Sequence, residues 1–283
     1  GGVNYYIFGS DRFRIYPYGN SFNHLSGKAV RQIINAPNNS LYIATEDGGL
    51  NYLNENKEIT RSERLHKKMH INAKNVHSLW LDKNKSLWIG LFLKGVIHYI
   101  PSSNRTIDYN LLTEAGSSGF CIMEDKNDHI WYGGPSGLYL INKKKEKSSP
   151  IKITSLRVFS INYYNDSILW AGTRKAGIYQ INTHTLQVRP NHILPYMNLY
   201  ITYIYPDSHK QIWVGTDNNG LFLLNHKGEI IRSYTNEQLG SNAIKGIVED
   251  NMQNIWIGTG SGLCCINPKT QLVRSEEHTS ELQ

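Results

Sequence analysis

Gly258-Thr259-Gly260-Ser261-Gly262, inside the run IWIGTGSGLCCIN, is the stretch of this chain that most invites a chemical reading. Three glycines at alternate positions behind an apolar strand resemble a loop that cradles phosphate. Such a loop needs a helix behind it, with its N-terminal amides facing the anion, and a Lys-Ser/Thr pair. Here LCCIN follows, a strand-like run, and no such pair is present. The glycines are expected to serve the backbone rather than a nucleotide.

The other candidates for chemistry are weighed in the same way. DKNDH at 125–129 opens like a calcium loop but lacks the glycine and the distal Glu at the required spacing, so a polar hairpin turn is expected. His66 and His70 lie four apart in LHKKMHI, a spacing that binds zinc on a helix. No helical periodicity or catalytic Glu accompanies them and lysines flank both, so they read as loop histidines. Cys121, Cys264 and Cys265 are too few for a disulfide framework or a metal cage. Neighbouring strand residues point to opposite faces, so Cys264 and Cys265 should not pair and all three should be buried small side chains. No Ser-His-Asp order or carboxylate pair stands out. No catalytic residue, metal ligand or cofactor is therefore assigned.

The elements that must position any site follow from composition and periodicity. The chain has 283 residues, 40% hydrophobic and 19% charged, which is ample for a buried core. With 18 Tyr and 24 Gly it favours strands and tight turns. No stretch reaches the ~20 apolar residues of a membrane span. It starts at Gly1-Gly2 without an initiator Met or signal-peptide pattern, and so reads as a processed or clipped piece. The net charge of +7 raises nucleic acid as a partner. Its basic clusters, Lys143-Lys144-Lys145 with Lys147, and Arg61, Arg64, Lys67 and Lys68, fall between apolar runs and read as solvated loops.

One pattern recurs six times: LYIATEDGGLNYLN, LWIGLFLKGVIHYI, IWYGGPSGLYLIN, LWAGTRKAGIYQIN, IWVGTDNNGLFLLN and IWIGTGSGLCCIN. Its anchor aromatics are Tyr42, Trp88, Trp131, Trp170, Trp213 and Trp256, so five of the six tryptophans share one position. Two residues on stand Ala44, Gly90, Gly133, Gly172, Gly215 and Gly258, on the same strand face as the indole, where a glycine lets a neighbouring sheet approach. A second glycine ends the turn and should supply a positive φ: Gly49, Gly95, Gly137, Gly177, Gly220 and Gly262. With another strand upstream and a weaker one downstream, each copy holds four strands in ~40–45 residues, the arithmetic of a propeller blade.

YYIFGSDRFRIYPYGN near the start reads as a degenerate partial blade with Gly9 in the first glycine position. The expected fold is all-β, a seven-bladed β-propeller of four-stranded antiparallel blades over residues 1–273, with one blade incomplete where the two ends meet. Residues 274–283, RSEEHTSELQ, lack strand alternation and match the translation of a common sequencing-adapter read. They are expected to be a non-native tail.

The six copies resemble the two-component regulator propeller repeat, whose pattern runs I-W-I-G-T-x-x-G-G-L-x-x-(Y/F)-(D/N), over about residues 5–273. The resemblance implies the periplasmic sensor region of a Bacteroidetes-type hybrid two-component system. In that family two propellers usually precede an immunoglobulin-like domain, a membrane helix and a cytoplasmic histidine kinase fused to a regulator. Many members sense oligosaccharides. This chain holds one propeller at most, so those partner domains, and any dimer of the full-length parent, are implied by resemblance alone.

In a four-stranded blade, the turn between the second and third strands shares an edge with the connections between blades. Those segments supply Phe92, Arg174, Asp217, Asn218, Tyr196 and Tyr200. Sugar recognition uses aromatic faces beside amide, carboxylate and guanidinium groups. Arg174, Asp217, Asn218 and Tyr196 fit that chemistry and are the candidate ligand residues; the plainer reading is solvated loop. A non-enzymatic oligosaccharide sensor is the leading function. A propeller lyase with a histidine-based metal site, and a protein-interaction scaffold, are the alternatives.

Overall fold

The computed structural model describes residues 2–6, 13–109, 117–145, 148–191 and 199–276, with backbone alone for 2–6, 13–14 and 276. The fold is all-β, a β-propeller chain of six four-stranded antiparallel blades. The chain divides into two compact units, Gly1–Lys152 and Ile153–Gln283. Blades 1 and 2 (30–60 and 76–108) and blade 3 (121–154) up to the middle of its last strand fall in the first unit; blades 4 to 6 (158–191, 201–234 and 244–276) fall in the second.

The count differs from the expected seven. The start of the chain forms a two-stranded sheet, β1 (Gly2–Tyr6) with β2 (Phe13–Pro17), whose Tyr16 is buried in the core of blade 1. Gly9 lies outside the described residues. The strand at the far end, Val273–Glu276, pairs with Leu263–Ile266 and so is consumed as the outer strand of blade 6. That strand also takes in Arg274, Ser275 and Glu276, the first three residues of the expected tail; 277–283 lie outside the described residues.

Inside a blade, the anchor tryptophan is fixed by a carboxylate six residues earlier. Trp88, Trp131, Trp213 and Trp256 donate their indole N–H to Asp82, Asp125, Asp207 and Asp250 at 2.8–3.1 Å. The same carboxylates accept backbone N–H groups of their own turn, as Asp207 does from His209 and Gln211. One short polar side chain thus closes the first hairpin and satisfies a buried indole. Blade 4 departs from this. Tyr164 stands six before Trp170 and stacks on it at 5.0 Å and 4°, and the Trp170 indole nitrogen has no acceptor.

The second hairpin uses a threonine and a glycine. Thr45, Thr173, Thr216 and Thr259 donate their hydroxyls to the carbonyls of Gly49, Gly177, Gly220 and Gly262 across the turn. These four glycines all have φ between 72° and 153°, as the sequence predicts. The glycine two residues after the Trp permits close approach of the next blade in three copies: a Cβ on Gly90 would lie 2.1 Å from the Gly119 carbonyl oxygen, one on Gly172 2.5 Å from Ile201 and one on Gly215 2.6 Å from Ile244, whereas one on Gly258 would meet only Gly246 of its own blade at 3.7 Å. First strands of consecutive blades are stitched by side chains, for example Gln32 to Leu79 N–H, Ser160 to Ile204 N–H and Thr202 to the Ile244 carbonyl.

Among the described residues, two short α-helices interrupt the pattern. α1 (Ser62–Met69) carries three of the four basic residues expected to form a loop, with Arg61 as its N-cap. Its buried Leu65 and Met69, one turn apart, pack into the core that includes Leu50, Leu79 and Ile89. α2 (Asn236–Leu239) is a single turn fixed by a Thr235–Gln238 capping box and the left-handed Gly240. Lys143 is also no solvated loop residue: only 9% exposed, it bridges Asp82 at 2.9 Å and Glu124 at 2.5 Å.

Candidate functional site

The site is built on a defect that recurs in the sheets. In five blades the pairing of the first and second strands slips by one residue, between Val30 and Gln32, Val76 and Ser78, Val158 and Ser160, Ile201 and Tyr203, and Ile244 and Gly246. The inserted residues are Arg31, His77, Phe159, Thr202 and Lys245. Phe120 holds the same place in blade 3, one residue ahead of the Cys121–Gly133 pair. A bulge leaves its residue out of the ladder and re-aims the side chain. The flanking Val76, Val158, Ile201 and Ile244 are fully buried. Structure is thus held by the flanks, and the bulged residue can differ from blade to blade.

In the second unit the bulges and the second hairpin turns converge on Tyr200. The exposed Arg174 sets its guanidinium 5.1 Å from the centre of the Tyr200 ring, and the two backbones form an antiparallel bridge. Phe159, the bulged residue of blade 4, meets the same ring edge-on at 5.0 Å and 72°. The Tyr200 carbonyl accepts the Asp217 N–H at 3.0 Å. Asp217 in turn accepts from Lys245, the bulged residue of blade 6, at 3.1 Å. Asn218 is exposed on the same turn as Asp217.

Of the four residues named from sequence, the structure brings Arg174, Asp217 and Asn218 to one edge, while Tyr196 lies outside the described residues. Tyr200, from the same connection, places an aromatic ring at this edge. Phe159 and Lys245 were missed; their signal was available as the residue following the first aliphatic of each upstream strand. The cluster offers an aromatic face, a guanidinium whose edge N–H groups stay open over the ring, and a carboxylate oriented by an ammonium. Guanidinium and carboxylate together supply the donor and acceptor that vicinal hydroxyls would need.

The remaining candidates are structural. Gly258 and Thr259 lie in the strand Ile255–Thr259, Gly262 closes the turn, and the strand Leu263–Ile266 follows where a phosphate loop would need a helix. The Asp125 carboxylate is engaged by Asn127 N–H, His129 N–H, the His129 ring and Trp131. His66 does lie on a helix, against expectation, but its Nε2 accepts the Leu50 N–H at 3.0 Å, and His70 is the helix's left-handed C-cap. Cys264 and Cys265 are both buried and no disulfide joins the three cysteines.

The profile of the two-component regulator propeller matches residues 195–218, the segment that runs from the blade 4–5 connection through Trp213 to Asn218. The chain carries the two-component regulator propeller repeat. One relative is histidine kinase P4 of Formosa agariphila, 25% identical over an alignment covering 83% of this chain and 22% of the kinase. The chain therefore spans about a fifth of that protein. Among solved structures, the extracellular domain of the hybrid two-component system BT3049 from B. thetaiotaomicron matches 95% of this chain and 42% of its own at 19% identity and a TM-score of 0.58. Virginiamycin B lyase from Staphylococcus aureus matches 90% of this chain and 86% of its own at 14% identity and a TM-score of 0.72. At these identities the structural likenesses establish the fold.

Proposed function

We propose that this chain is a ligand-sensing propeller region of a hybrid two-component regulator, located in the periplasm. It binds an oligosaccharide through Arg174, Tyr200, Asp217 and Asn218. The signal passes to a histidine kinase in the same parent protein, through further propeller and immunoglobulin-like domains and across a dimer. The chain itself performs no chemistry on its ligand and has no nucleic-acid partner. The observation that carries this reading is the Tyr200 ring set against Arg174, with the Tyr200 carbonyl accepting the Asp217 N–H, beside turns of the two-component regulator propeller repeat.

Binding alone does not signal. The ligand must favour one of two states of the parent by its difference in affinity for them. Arg174 and Asp217 sit on the second hairpin turns of blades 4 and 5 and Tyr200 on the connection between those blades, so a bound chain of sugars would tie successive blades of one unit together. A thermal-shift screen against a panel of plant, algal and host oligosaccharides tests the proposal. A cognate sugar at a hundredfold excess over Kd should raise Tm on the order of 5 °C, with the sugar recovered intact. Turnover of the sugar, abolished by a chelator, would replace the sensor reading with the lyase one.

A further inference from the structure

Three rings in the first unit form a stack that neither the repeat nor the fold requires. His77 and Phe120, on the first strands of blades 2 and 3, lie 4.1 Å apart and 6° from parallel. Phe92, on the second hairpin turn of blade 2, stands 5.9 Å from His77 and 6.1 Å from Phe120, within 27° of both planes. Phe92 is 41% exposed and the adjoining Leu93 53%. Beside them Arg31, from blade 1, is ion-paired with Glu46. The His77 Nε2 is buried without a hydrogen-bond partner.

We propose that His77, Phe92 and Phe120 form a second subsite, a stacking platform for a pyranose ring whose hydroxyls meet the Arg31–Glu46 pair. This rests on the reading of the chain as a saccharide binder and assigns that reading a place in the first unit. Phe92, the most exposed of the three rings, offers an apolar ring face, which suits the C–H face of a pyranose. Arg31 is already neutralised by Glu46, so the pair suits a neutral polyol better than an anion: the guanidinium donates to one hydroxyl and the carboxylate accepts from its neighbour. Burial first, and the positive charge of Arg31 second, push His77 down to about 4, so the platform stays uncharged at neutral pH.

The test is a titration of the whole chain, labelled with ring-13C histidine, with methyl β-glucopyranoside and methyl β-galactopyranoside at millimolar concentrations. The His77 signal is identified as the one missing from His77→Gln. It should move saturably with at least one glycoside, and Phe92→Leu, which keeps an apolar side chain on an exposed turn, should weaken that titration about fivefold. A His77 signal that stays still with both glycosides, or a Phe92→Leu variant that titrates like the parent, overturns the platform. The two readings fail separately. Oligosaccharide binding by calorimetry with a silent His77 removes the platform and leaves the sensor. Glycoside contact at His77 with no oligosaccharide bound does the reverse.

Discussion

Four tryptophans have an aspartate for a neighbour and Trp170 has a tyrosine instead. A buried N–H left without an acceptor carries its desolvation cost, whereas a charged acceptor makes the bond worth about 1.5–3 kcal/mol. Trp170→Phe should therefore destabilise the chain less than Trp213→Phe by roughly 1–3 kcal/mol in urea unfolding; equal losses would contradict this. His77 makes a second prediction, in pH. Its folded form stays neutral down to about pH 4, while the unfolded chain binds the proton near 6.5. The stabilisation is complete above pH 6.5 and is lost as the pH falls toward 4. His66, held below its ordinary value by burial against the opposing charge of Glu63, acts in the same direction. Melting curves at pH 7 and pH 4.5 should show a smaller drop for His77→Phe than for the parent; parallel drops would rule the effect out. Arg174 and Asp217 were legible because the repeated glycines delimit their turns. Phe159, Lys245 and His77 were passed over, because the place they share, after the first aliphatic of each upstream strand, holds no constant residue type from blade to blade.

Elements were legible where residues repeat and opaque where a single copy does something of its own. The Trp strand, the glycine turn and the strand behind it recur six times, so the four-stranded blade followed from sequence. α1 did not, because only Leu65 and Met69 of its eight residues supply an apolar stripe. The blade count missed because the partial copy at the start, read as part of a seventh blade, forms only the two-stranded sheet of β1 with β2, and Val273–Glu276 is the outer strand of blade 6. The Lys143 cluster shows the same limit. As a triplet of lysines it reads as solvent-exposed, yet Lys143 holds together Asp82 of one blade turn and Glu124 of the next. Burial pushes the Asp82 carboxyl up, and hydrogen bonds from Lys143, Ser86 and Trp88 more than offset it. Removing one member of such a group strands the others. Lys143→Met should cost about 3 kcal/mol or more at pH 7 by chemical unfolding, with part of the loss recovered in the Lys143→Met, Glu124→Gln double variant. A single-variant loss below about 1 kcal/mol would mean the cluster is solvated after all.

At the scale of the whole chain, fold and repeat are established while the ligand is proposed. One repeat supports sensors and, on a similar fold, a lyase, so the class of function rests on the edge residues rather than on the blades. The described residues hold no helix long and apolar enough to cross a membrane, and a sensor of this kind would act through segments of its parent beyond the propeller. The sensor reading stands on Arg174, Tyr200 and Asp217 binding a saccharide. Calorimetric titration decides it, using the chain, Arg174→Ala and Asp217→Asn with the oligosaccharide that most raises the parent's Tm. The parent should show one saturable, turnover-free site, weakened about tenfold or more in each variant, with both variants melting within a few degrees of the parent. Unchanged affinity in both variants would contradict it.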